Sequence, residues 1–282
     1  MNNLHVWKIS SSPGCESLEL PDLSSLDSVS RQLPEGLYST FRTYGRCARA
    51  LDLKHHLGRL YLPAAERGVE PSVSARELRE ALAGLLEAYR PGEARVRISL
   101  SLAESPGQVF AMIEPLKMLD ETVYQRGVRV ATFHTERANP RIKSTSFIQK
   151  SDQERKSLAQ SGIFEGLIVQ NRRIYEGLTS NFYAVRSGAL VTAQNGILLG
   201  VTRRIVLRQA RKFGLKIEYR PLPVDELPGV DEAFITSSSR GLVPVVELDG
   251  KPVGEGHPGL WTKRLITAYA GYVEQKSEPI RP

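Results

Sequence analysis

A chain of 282 residues, 41% hydrophobic, is long enough to bury a sizeable core and to hold one large or two modest domains. The net charge of +7 comes from scattered Lys and Arg, densest at Arg172-Arg173 and Arg203-Arg204. No nucleic-acid partner is therefore expected, and small anions or solubility account for the excess. The opening MNNLHVWKISSSPG shows neither signal peptide nor membrane span, and Cys15 and Cys47 lack metal-ligand spacing, so a cytoplasmic address with reduced thiols and no metal is expected.

In chain order, His5–Ile9 suits an opening strand, followed by a Ser/Pro/Gly-rich loop to about residue 36. Residues 37–44 are aromatic and β-branched and predict a strand, with Tyr38, Thr40 and Arg42 on one face and Ser39, Phe41 and Thr43 on the other. Gly45-Arg46 turns the chain into residues 47–53, and a helix begins near Lys54. Arg59 on this helix reads as a solvated surface residue or as an anion-gripping fork. The adjacent His55 and His56 point to different helix faces and cannot share a metal. Ser74 to Glu77 forms a capping box, and Leu78, Leu82, Leu85 and Tyr89 follow at helical spacing until Pro91-Gly92. Strands are predicted at residues 94–102 and Val109–Pro115, with Arg95, Arg97 and Ser99 on one face of the first. The composition places a small N-terminal domain at residues 1–118, a linker at 119–126 and a second domain at 127–282.

In the second half an apolar segment (residues 127–133) leads toward Lys143. A polar helix at about 146–161 follows, carrying two rival amines, Lys150 and Lys156. An apolar strand at 166–170, a turn at Asn171-Arg172-Arg173 and a return strand deliver Glu176, so adjacent elements can bring an amine and a carboxylate to one cleft. Pyridoxal phosphate requires that pair, an amine to form a Schiff base and an acid to keep the pyridine nitrogen protonated. A hairpin about Ser187-Gly188 precedes Gly196–Thr202 and a helix near residues 203–213. Thr202 suits its N-cap, which leaves first-turn amides for a phosphate or simply caps a surface helix. Strands follow at 216–220, 232–236 and 243–248. Ser237-Ser238-Ser239 reads equally as a plain loop or a polar site. A helix from Leu260 to about Gln275 and a disordered tail close the chain.

The order of these motifs resembles the class IV (fold type IV) pyridoxal-phosphate enzymes: branched-chain and D-amino-acid transaminases, (R)-selective amine transaminases and aminodeoxychorismate lyase. Lys143 matches the Schiff-base lysine, Glu176-Gly177-Leu178-Thr179-Ser180-Asn181 the E-G-x-x-S-N segment, and Gly200-Val201-Thr202-Arg203 the G-[IV]-T-R segment. His56-Leu57-Gly58-Arg59-Leu60 is similar to H-L-x-R-L, and the likeness runs on through Asp231–Phe234, Pro244-Val245 and Asp249-Gly250. The resemblance implies a two-domain α/β fold with a larger, β-rich C-terminal cofactor domain. It implies catalysis by Lys143, a ring-nitrogen contact from Glu176 and phosphate contacts from Arg59, Val201, Thr202 and Ser238. Tyr38, Arg97 and Ser239 would line the substrate, an amino donor with a 2-oxo acid acceptor, and the enzyme would be a homodimer.

Some positions depart from the family pattern: Ser39 replaces the usual glutamate, Arg95 a tyrosine, and residues 100–103 lack the arginine of D-amino-acid transaminases. Apolar L-amino acids with 2-oxoglutarate are the first expectation, D-amino acids or (R)-amines the second. A lyase cleaving aminodeoxychorismate is the alternative on the same cofactor. A non-catalytic binding protein on this fold is opposed by the retention of both Lys143 and Glu176.

Overall fold

The computed structural model describes residues 4–11 and 14–282. Residues 12 and 13 of the expected loop lie outside it. The mixed α/β architecture divides into two units, each with its own sheet and core.

The first unit comprises the described residues up to Lys117 together with Ile142–Lys150 and Val273–Pro282. Its strands are β1 (His5–Ile9), β2 (Cys15–Leu18), β3 (Gly36–Tyr44), β4 (Arg49–Ala50), β5 (Ala94–Ser101) and β6 (Val109–Pro115). With Glu278–Pro279 they form a seven-stranded sheet, ordered Glu278–Pro279, β4, β3, β5, β6, β1, β2. The period-2 alternation works as expected. Leu37, Phe41, Val96, Ile98 and Ala111 face a core closed by α2 (Leu53–Ala65) and α3 (Ala75–Leu86). On the other face Val6 and Met112 pack against Leu26 and Val29 of α1 (Leu26–Gln32). Serine-rich sequence there suggested only a loop, yet Ser25 and Ser28 cap this short helix reciprocally. The predicted capping box of α3 is present, with Ser74 N–H donating to Glu77 at 2.7 Å and Glu77 N–H to Ser74 Oγ at 3.2 Å.

Two segments distant in sequence complete this unit, so its boundary is not the contiguous one expected. Residues 143–145 lie along the edge of β3: Tyr38 N–H donates to the Lys143 carbonyl at 2.8 Å, and Thr145 N–H to that of Gly36 at 2.9 Å. Glycine is required at 36, where a Cβ would collide with the Leu100 carbonyl. The tail, expected to be disordered, pairs instead as a strand with β4. Ile280 is buried, Arg49 and Arg79 donate to tail carbonyls, and Glu278 accepts the Leu53 N–H at 2.9 Å, where the N-cap Asp52 supplies no side-chain bond.

The second unit spans Met118–Arg141 and Ser151–Tyr272. Its strands are β7 (Val128–His134), β8 (Glu165–Gln170), β9 (Arg173–Gly177), β10 (Asn181–Arg186), β11 (Ala189–Thr192), β12 (Lys216–Tyr219), β13 (Leu222–Pro223), β14 (Glu232–Ser237), β15 (Gly241–Leu248) and β16 (Lys251–Pro252). Six of them pair in sequence around a ring, β10-β14-β15-β7-β8-β9, which the Asn181–Glu176 pairing closes. Val130, Leu167, Phe182, Ile235 and Val245 belong to its core. The β8–β9 turn holds Asn171 and Arg172 at φ 48° and 57°, the left-handed geometry of a tight hairpin. The single helix expected at 146–161 is two, Ser146–Lys150 and Asp152–Gln160, and these belong to different units. No helix among the described residues is long and apolar enough to cross a membrane.

Candidate active site

In the first unit, β3 and its edge segment bring Tyr38 and Lys143 together: Lys143 Nζ lies 4.7 Å from the Tyr38 ring centroid. Arg97, two residue pairs along on β5 and so on the same face, sets its guanidinium 4.8 Å from the same ring. Arg97 is 3% exposed, and its Nε and Nη1 are committed inside the unit. They reach Asp27 at 2.7 Å, the Leu26 carbonyl at 2.9 Å, Ser30 Oγ at 2.8 Å and Thr40 Oγ1 at 3.0 Å. Arg97 thus fastens α1 to the sheet while presenting its face to Tyr38.

Arg59 is half-buried on α2, one turn beyond His56. His56 is 1% exposed, its Nδ1 lies 2.9 Å from Ser39 Oγ, and its ring packs on Phe41 at 5.4 Å. The serine found in place of the family's glutamate therefore has a partner. Burial, and then the charges of Arg59, Lys143 and His55, hold His56 well below its ordinary pKa, so the imidazole is neutral. His55 is exposed, on a different face as expected.

In the second unit Glu176 is 2% exposed at the end of β9. Its Oε2 accepts the Leu198 N–H at 3.0 Å and the Asn181 amide at 3.5 Å, while Oε1 faces Arg137 Nε at 3.3 Å. Asn181 also donates to the Leu198 carbonyl at 2.7 Å. Cross-strand pairing aligns Asn181 with Glu176 on one side and Thr236 on the other, so the ends of β9, β10 and β14 are neighbours.

Gly200, rather than Thr202, is the N-cap of helix Val201–Lys212, with extended φ −62° and ψ 145°. Glycine fits because a Cβ here would collide with Asn181 Oδ1, and it leaves the first-turn amides without a side-chain cap. Val201 and Thr202 are buried in that turn. Arg203 donates to the Ala193 carbonyl at 2.7 Å and to Gln194 at 2.9 Å, fixing the loop that leads to it. Ser238 and Ser239 are half-buried in the turn between paired Ser237 and Gly241.

Of the rival amines, Lys156 pairs with Asp152 at 2.8 Å with its side chain 67% exposed, and Lys150 is exposed. Tyr38, Arg59, Arg97 and Lys143 thus belong to the first unit, and Glu176, Val201, Thr202, Ser238 and Ser239 to the second. Arg137 escaped the sequence reading because a lone arginine in a polar loop carries no periodic or motif signal. Asn181 closed a quoted motif, but its bonding role needed the strand register.

The donor sets suit a phosphorylated pyridine aldehyde. A lysine amine and an arginine stand in one unit, and a buried carboxylate, an uncapped helix N-terminus and serine hydroxyls in the other. Residues 36–248 match the model of the amino-transferase class IV family. The chain belongs to that family. It is 30% identical over 250 residues to the D-alanine aminotransferase of Bacillus licheniformis, covering 84% of this chain and 87% of that one. It is 29% identical over 249 residues to a probable branched-chain-amino-acid aminotransferase of Thermotoga maritima, covering 86% and 88%. Among solved structures, a putative branched-chain aminotransferase from Thermotoga maritima superposes with a TM-score of 0.79 at 26% identity over 96% of both chains. The branched-chain aminotransferase of Thermoproteus uzoniensis with norvaline gives 0.78 at 22% identity, over 98% of this chain and 99% of that one. As a class IV aminotransferase the protein is a pyridoxal-phosphate enzyme that takes an amino acid and a 2-oxo acid as substrates.

Proposed function

We propose that Lys143 is the amine that holds the cofactor covalently and that Glu176 faces its ring nitrogen. Arg59, the Val201 and Thr202 amides and the Ser238 hydroxyl hold the phosphate. The observation that carries this reading is Glu176, a buried carboxylate pinned by Leu198 N–H and Arg137 near a helix N-terminus that no side chain caps. When bound, pyridoxal phosphate supplies a carbonyl that captures an amine and an electron sink that lets the Cα proton leave. The chain's own residues do the rest. With the cofactor bound, Lys143 would be the general base that takes the substrate Cα proton and the acid that returns it to the cofactor carbon. Tyr38 orients Lys143 through its ring face. Arg97 stands on the substrate side beside Tyr38, its Nε and Nη1 fixed by Thr40, Ser30 and Asp27. Glu176 keeps a proton on the ring nitrogen, and the Ser239 amide meets the substrate carboxylate.

The preferred donor in this reading is an apolar L-amino acid and the acceptor a 2-oxo acid, supported by the branched-chain relatives. A second reading, D-alanine as donor, is supported by the Bacillus licheniformis relative. Steady-state assays on L-leucine, D-alanine and (R)-phenylethylamine rank them, and activity confined to D-alanine overturns the first. Consumption of 2-oxoglutarate separates a transaminase from a lyase. Lys143→Ala should abolish turnover with the fold intact. Borohydride reduction of the wild type and peptide mapping should label Lys143; label at Lys150 or Lys156 refutes the assignment. The same proposal includes a homodimer, supported by family resemblance, to be tested by light scattering. It also includes a cytoplasmic address, supported by two unpaired thiols, to be tested by fractionation.

A further inference from the structure

We infer that Arg240 is a positioning residue that ties the Ser238–Ser239 turn to the turn following Glu176. The inference rests on the reading above, in which Ser238 meets the phosphate and Ser239 the substrate carboxylate. The last paired residues of the β14–β15 hairpin, Ser237 and Gly241, flank this turn, and Gly241 is in the left-handed region at φ 68°. Arg240, last residue of the turn, supplies further restraints. Its Nε donates to Ser237 Oγ at 3.0 Å within the hairpin. Its Nη2 leaves the hairpin and donates to Thr179 Oγ1 at 2.7 Å and to Glu165 Oε2 at 3.2 Å. The guanidinium lies 5.2 Å from the Phe164 ring centroid, and the Arg240 carbonyl accepts the Tyr124 hydroxyl at 2.9 Å.

The far end of this tie is itself rigid. The Glu165 side chain is 3% exposed, and its carboxylate also accepts the Thr179 hydroxyl at 2.5 Å and the Ser180 hydroxyl at 3.2 Å. Gly177 N–H donates to the Ser180 carbonyl at 2.8 Å, and a Cβ on Gly177 would collide with Ser180 Oγ. One planar fork therefore spans the two turns, one bearing Ser238 and Ser239 and the other following directly on Glu176. A lysine could reach the carboxylate but not span three acceptors at once.

Hydrogen exchange on the cofactor-free protein, with Arg240→Ala and Arg240→Lys, tests the tie. Exchange should rise by about tenfold in Arg240→Ala at residues 177–181 and 237–241 together, as expected for the loss of one or two hydrogen bonds. Pyridoxal phosphate Kd, from an absorbance titration, and the KM for the 2-oxo acid should rise by a similar factor, with kcat held within about threefold. Arg240→Lys should recover part of the affinity. Faster exchange at 237–241 alone, or unchanged Kd and KM, overturns the inference. So does loss of affinity only in proportion to a lower melting temperature of the whole protein. Should Arg240→Ala not fold, Arg240→Gln takes its place in every arm. Failure of the wild type to bind pyridoxal phosphate would sink the reading of Ser238, while the exchange arm still decides the tie.

Discussion

Arg59 and Arg97 are both arginines of the first unit, and they are expected to give opposite phenotypes. Arg59 is half-buried, so Arg59→Ala should weaken pyridoxal phosphate binding, through loss of charge-assisted bonds worth about 1.5–3 kcal/mol each, by more than it lowers stability. Arg97→Ala removes the ion pair to Asp27 and the hydrogen bonds to Leu26, Ser30 and Thr40, so it should cost about 3 kcal/mol of stability in urea unfolding. Its effect on turnover should come through a mispositioned Tyr38. Equal cofactor loss in both variants would refute this division. Glu176→Gln should keep the cofactor and lose roughly tenfold to a thousandfold in rate, since a carboxylate beside a cation shifts its pKa by about 1–3 units and a neutral amide does not. Unchanged turnover in Glu176→Gln would remove it as the ring partner.

Among the elements, α2 depends on a segment far away in sequence. Its N-cap Asp52 is left-handed and makes no side-chain cap, and Glu278 takes the Leu53 N–H instead. Glu278→Ala should therefore lower stability by about 1 kcal/mol, the usual worth of a helix cap, and deletion of residues 277–282 by more, because Ile280 leaves the core. A melting temperature unaffected by that deletion would refute the role of the tail. Where periodicity and capping act locally, sequence suffices: β3, β6 and the β8–β9 hairpin stand within a residue or two of expectation, and α3 starts at its capping box, though it ends at Leu86 and gives way to a 3-10 turn over Glu87–Tyr89. It fails where a partner distant in sequence decides the outcome. The tail becomes a strand only because β4 offers an edge, and residues 143–145 join the first unit through backbone bonds that leave no mark on composition. The same holds at the site. Lys143 and Glu176 stand in motifs, whereas Arg137, Glu165 and Arg240 matter through who they touch.

At the scale of the whole molecule, stability should depend on pH through His56. The folded protein holds it well below 6.5, whereas in the unfolded chain it takes up a proton near that value. Its contribution is thus fully present above about pH 6.5 and is lost as the pH falls toward the folded-state value, with a slope of up to about 1.4 kcal/mol per unit. Urea midpoints of the cofactor-free protein should fall from pH 7 to pH 5, and His56→Gln should flatten that dependence even though it lowers the starting stability. An identical slope in the variant would assign the dependence to other groups. The division of the chain into interleaved units has a consequence for biosynthesis. Residues 142–150 and 273–282 complete the first unit, yet the bulk of the second is translated between its main body and its closing strand. At about 5–20 residues per second, the nascent first unit waits on the order of ten seconds with one edge of its sheet unpaired. During that interval the exposed edge of β4 is open to chaperones or to a neighbouring nascent chain on the same message.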